Sequence, residues 1–326
     1  MKRLTLLGLL LLLSTPAAAQ GRDEEFYYPG SFNWRFRRAY PEAAKLFNAF
    51  DYGHAVLYEV LYSGAADPVA RLEGKELRFL TEDLLSHPPS FAVPEEAVMP
   101  AYARAAWRAK LMFDRAHVLH RQIYDAYADD RLSPEQAAAL VERLTDHYLA
   151  DRRYAFTDRP KDMGLMDDQY YSQVFRREFP AFNGLIWAYH WLQVGLYEPL
   201  VTESGEAKRE AVAETVRRFR QLIATTPGSA PSVMPMTPAV APVFSQRHPR
   251  AAAIFDNLHM MHDIISDVLA SPKVAPADRI RVINDALDEF QRSDRMVMDP
   301  AHWRMMADHM GGVDKMGGVA GRHPPR

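Results

Sequence analysis

Apolar positions recur along this chain at the three-to-four residue spacing of amphipathic helices. No stretch alternates with period two for long enough to suggest a sheet. Prolines and glycines punctuate the pattern. Pro41 opens a helix over 41–62 that Ser63-Gly64 ends, because a proline at the first helical position forgoes an N–H that would be unbonded there anyway. A second helix fits 68–85, stopped by His87-Pro88-Pro89, and a third fits 100–128. Ser133-Pro134-Glu135 starts a fourth, with Ser133 as cap, reaching to about Arg152. A short helix is expected over 167–179, a long apolar one over 181–200 and a charged amphipathic one over 206–225. Residues 226–248, with prolines at 227, 231, 235, 238 and 242, read as a loop. Pro249 opens a helix to about Ala270, and 276–292 is the last clear one. The pattern predicts an all-α fold: a single domain built on a four-helix core with additional peripheral helices. Composition agrees, since glycine is scarce before the C-terminal segment while alanine, leucine, glutamate and arginine abound.

The ends of the chain read differently. Lys2 and Arg3, the apolar run 6–13 and Ala17-Ala18-Ala19 have the form of a secretory signal over residues 1–19. The run is shorter than the roughly 20 apolar residues a membrane span needs. The nearest later approach, 182–196, carries Asn183, His190 and Gln193, so no membrane span is expected. Residues 20–40 are rich in aromatics and read as a strap over the body. Residues 41–295 form the helical metal-binding domain argued below, and 296–326 a Met/His-rich, Gly/Pro-ended flexible tail. The chain contains no cysteine, which removes disulfides, thiolate ligands, a cysteine nucleophile and a lipoprotein anchor. Export to a periplasm, or secretion, is the expected location. The formal net charge of −3 becomes −5 without Lys2 and Arg3, and no basic stripe invites nucleic acid. Phosphate-loop and Gly-x-Ser-x-Gly motifs are absent.

The chemistry lies in a pattern that repeats on four helices with spacings of three, three, four and one. It reads Asn48, Asp51, His54, Tyr58, Glu59; then Asp114, His117, His120, Tyr124, Asp125; then Trp187, His190, Gln193, Tyr197, Glu198; then Asp256, His259, His262, Ser266, Asp267. With about 100° of turn per residue, the second and third positions lie about 60° apart and the fourth about 40° further round. One apolar face of each helix therefore presents two metal-capable or hydrogen-bonding groups and usually a phenol. Four such helices in a bundle would converge these groups in its core, where cofactor sites are commonly built. A bound cation would satisfy polar groups whose unpartnered burial costs about 1–3 kcal/mol each. The candidate metal ligands are Asp51, His54, Asp114, His117, His120, His190, Asp256, His259 and His262, with Tyr58, Tyr124, Tyr197 and Gln193 around them. The acids at the fifth position are read as supports for the ligands, as ligands reached round the edge, or as a solvated face.

Imidazole-rich donors suit zinc, copper, iron or nickel. Iron or copper is the expected metal, and two facing histidines would also suffice for haem b. His-x4-Asp at His120/Asp125 and His262/Asp267 is similar to the last ligand pair of haemerythrin-type di-iron bundles. The other haemerythrin spacings are absent, so the likeness is one of site chemistry. Two function classes follow: an exported protein that binds metal or haem, and a redox enzyme with a dinuclear iron or copper site activating dioxygen. A third is a structural or interaction protein with a polar histidine core and no metal. Separately, Met296, Met298, His302, Met305, Met306, His309, Met310 and Met316 crowd together, which either favours copper or reflects a short helix packing its methionines on the body.

Overall fold

The computed structural model describes residues 34–224, 228, 230–310 and 312–320. The signal segment and the first part of the strap lie outside the described residues. Sixteen α-helices and no named strand occur among the described residues, as the pattern requires. A lone bridge joins Lys161 to Val297.

In chain order α1 is Trp34–Ala39, α2 Pro41–Tyr62, α3 Glu95–Val98, α4 Pro100–Ala105, α5 Trp107–Ala128 and α6 Pro134–Ala150. Two π-helical stretches, Ala70–Glu76 and Phe79–Leu84, fill the interval after α2. Next come α7 Gly164–Asp167, α8 Val174–Glu178, α9 Pro180–Gly195, α10 Tyr197–Thr202 and α11 Gly205–Ala224. The remainder are α12 Thr237–Val240, α13 Pro242–Arg247, α14 Pro249–Ala270, α15 Arg279–Gln291 and α16 Pro300–His309. The core is made by α2, α5, α9–α10 and α14. Each of α2 and α5 packs against α14, α2 also against α9, and α5 also against α10. The remaining helices surround this core, so the molecule is one all-α domain on a four-helix centre.

The structure corrects several boundaries. The helix expected over 100–128 breaks at Ala106, whose φ of −103° and ψ of 37° lie outside the helical region. The one expected over 181–200 breaks at Leu196; Pro199 has no N–H to offer the carbonyl of Gly195. The expected loop 226–248 contains α12 and α13, and Trp34–Ala39 of the strap is helical. The described part of the segment expected as a flexible tail is instead laid over the body; its last six residues lie outside the described residues. There Met298, Trp303 and Met316 are buried, Trp303 Nε1 donates to Asp256, and Trp191 Nε1 donates to the carbonyl of Gly318. Gly317, with φ of 97°, sits so close to the Trp191 ring that a Cβ there would come within 2.8 Å of it.

The acids at the fifth position of the repeat do structural work. Each accepts hydrogen bonds from backbone N–H groups at the start of a short helix that leads into another core helix. Glu59 takes those of Ala101 and Tyr102 on α4, and Asp125 takes that of Phe36 on α1. Glu198 takes those of Val243 and Phe244 on α13, and Asp267 takes those of Gln173 and Phe175 beside α8. A carboxylate is the natural partner for unbonded N–H groups at the positive end of a helix. The exchange is reciprocal between α2 and α5, and again between α9–α10 and α14, so the fold is two copies of one helical pair.

Candidate metal centre

The second and third positions of the repeat converge in the middle of the bundle. The rings of His54 and His262 stack with centroids 3.9 Å apart, His190 lies 4.8 Å from His262 and 5.1 Å from His54, and His259 lies 4.4 Å from His190. His117 stands 5.9 Å from His54 and 5.8 Å from His262. His120 stands 6.0 Å from His259 and 6.3 Å from His117. All six imidazoles are buried. Aromatic side chains wall them in: Phe50 against His54, Phe113 against His262, Trp187 against His190 and Phe255 against His120.

A hydrogen bond sets the proton on His190, and others orient its neighbours. His190 Nδ1 lies 2.8 Å from the carbonyl of Ile186, which only accepts, so Nδ1 carries the hydrogen and Nε2 keeps a lone pair. His262 Nδ1 lies 2.5 Å from the Tyr58 hydroxyl, and Ser266 Oγ donates to the carbonyl of His262. In the tautomer whose Nδ1–H donates to the phenol, Nε2 of His262 is a free acceptor. His120 repeats the arrangement with Tyr197, whose hydroxyl is 2.5 Å from Nδ1. One nitrogen of each of the six histidines, and both of His54, is buried with no hydrogen-bond partner, as is Nε2 of Gln193.

Burial drives every one of these imidazoles toward its neutral form. The values for His54, His117, His120, His259 and His262 are held well below the usual imidazole range, first by desolvation and then by neighbouring imidazoles or by Arg121. Burial brings His190 down to about 3. Neutral imidazoles with free ring nitrogens are the form that binds metal.

Two sets of donors lie close enough to share an ion. One is His54, His190 and His262; the other is Asp51, Glu95 and His117. In each set the ligand atoms are within 4.8 Å of one another. His259 and His120 belong to the same cluster as the first set, outside its three donors. Gln193 faces His259, its Oε1 3.2 Å from Nε2. Tyr58 and Tyr197 stand beside the cluster as the spacing predicts, whereas Tyr124 donates to the backbone carbonyl of Gln193.

Two candidate ligands are removed from the site. Asp256 is spent on Thr237, whose N–H and hydroxyl both donate to it, and on Trp303. Asp114 is partly exposed and bonds Lys110. The first repeat position sits about 60° round from the second, and in the folded chain that is enough to aim these acids at outer neighbours. Sequence reasoning missed Glu95, which lies on a separate four-residue helix with no repeat to mark it. It also missed Arg121, which holds Asp51 at 2.7 Å. No known family model, curated protein or solved structure matches this chain.

Proposed function

We propose that the chain is an exported helical metalloprotein in which His54, His190 and His262 hold a metal ion. One observation carries this reading: six buried imidazoles in one cluster, each with a ring nitrogen that no protein group satisfies. Left alone, such groups would cost about 1–3 kcal/mol each, a sum comparable with the entire stability of a typical domain, roughly 5–15 kcal/mol. A cation held by His54, His190 and His262 takes up their lone pairs and turns that part of the cost into binding energy. The donors are all imidazole, which suits iron or copper and also zinc. Rings as close as 3.9 Å favour a bare ion over the macrocycle of haem b. Tyr58 and Tyr197 orient their histidines from behind, the arrangement by which an outer group fixes a ligand's tautomer and raises its basicity.

A redox enzyme is the second reading, and the position of Tyr58 favours it. A phenol hydrogen-bonded to a ligating imidazole is placed to exchange a proton with that ring. A bound iron or copper ion would supply one-electron chemistry beside it.

The test is the metal content of the full chain, purified without a tag, together with its visible spectrum. We expect iron or copper in the wild type and loss of that metal in His190→Ala. A folded wild-type chain that carries no metal or haem, and takes up none from iron, copper or zinc salts, would leave the histidines as a polar structural core.

A further inference from the structure

We propose that Asp51, Glu95 and His117 form a second, separate cation site that takes a hard divalent ion such as Mn²⁺ or Fe²⁺. The proposal goes beyond the histidine centre and needs only its own donors. Ligand atoms of the three residues already lie within 4.8 Å of one another; Asp51 and His117 are buried, and the Glu95 side chain is 10% exposed. His117 brings the independent sign of a ligand: it is 7% exposed, and its Nε2 is enclosed without a hydrogen-bond partner.

Charge points the same way. Arg121 binds Asp51 through Oδ2, and Lys110 binds Glu95 through Oε2 at 3.1 Å. Lys110 is also shared with Glu96 and Asp114. Four carboxylates thus meet two cations, and the surplus of negative charge is what a divalent ion would neutralise. Two carboxylates with one imidazole make a harder donor set than three imidazoles, so the two sites should differ in metal preference. Their placement differs too. Glu96 and Asp114 open the acidic group to solvent, whereas the His54, His190 and His262 rings are closed off. The His117 ring lies within 6 Å of those of His54 and His262, so the acidic site is the histidine cluster's neighbour on the solvent side.

The experiment is a Mn²⁺ titration of the full chain after chelation, counting free ion by electron paramagnetic resonance. Wild type should bind one Mn²⁺. Glu95→Gln should weaken it by more than about tenfold, while His190→Ala leaves it within about twofold. Wild type that binds none, or Glu95→Gln that binds as wild type does, overturns the site. A readout on wild type alone is independent of any variant's folding: the nitrogen couplings of the bound Mn²⁺. One imidazole supports His117 as ligand. None, or several, overturns the assignment, because several would place the ion among His54, His190 and His262. Iron or copper content in His190→Ala reports on the histidine centre separately, so either site can fail alone.

Discussion

His190 is the residue whose state is most fully determined. The Ile186 carbonyl fixes its Nδ1 hydrogen, burial keeps the ring neutral, and Nε2 is left facing its neighbours. The sign of the pH effect follows. Desolvation penalises imidazolium, so the folded-state value drops to about 3 from the usual roughly 6.5. Protons therefore compete with metal at this ring only in strong acid. Metal should stay bound after dialysis at pH 5, where an exposed imidazole would be almost wholly protonated. Release with a midpoint near pH 6 would mean that the ligands are solvated. Tyr58 offers a gentler probe. Tyr58→Phe removes the oxygen that meets His262 Nδ1 while keeping the ring that fills the space, so metal affinity should fall by about 10–100-fold. The fold should persist, as read by circular dichroism. An unchanged affinity in a competition titration would take Tyr58 out of the site.

At the scale of helices, the carboxylates that close each repeat are joints between elements. Glu198→Ala would leave the N–H groups of Val243 and Phe244 without their acceptor. The expected cost is about 1–2 kcal/mol, seen as a lower midpoint in thermal unfolding with metal content unchanged. Loss of metal at full helicity would instead make Glu198 part of the site. The same joints explain what could be read in advance. The long helices were legible because each carries an apolar stripe and several, such as α2, α6, α9 and α14, open on a proline. Helices α1, α12 and α13 were not, since they have four to six residues and owe their order to contacts made far along the chain. For α1 and α13 those contacts include a carboxylate from another helix. The histidine cluster was legible because recurrence at fixed spacing is itself a signal. Asp114 and Asp256 shared that spacing and still left the site, because periodicity gives a face and not the partner waiting on it. Glu95 could only be found once α3 was folded against α2.

Across the whole molecule, the two helical pairs are equivalent in architecture and unequal in chemistry. The Tyr58–His262 and Tyr197–His120 contacts occupy matching places. Yet His54 has Gln193 as its counterpart, and His190 has Asp51, which is tied to Arg121. One complete imidazole triad therefore forms where duplication would allow two. The C-terminal segment bears on the same asymmetry, because its described residues clamp the second pair. It reaches α14 through Trp303 on Asp256, and α9 through Gly317 and Gly318 on Trp191. These two helices supply His190, His259 and His262. Deleting residues 296–326 would uncover Trp191 and strip one of three donors from buried Asp256, so the melting midpoint should fall by several degrees. The metal ligands themselves remain, and the truncated chain should hold the same metal per molecule when measured well below that midpoint. A truncation that melts as wild type does but loses its metal would move the binding site out to the methionines and histidines of the segment, and would turn the molecule into a copper carrier with a structural histidine core.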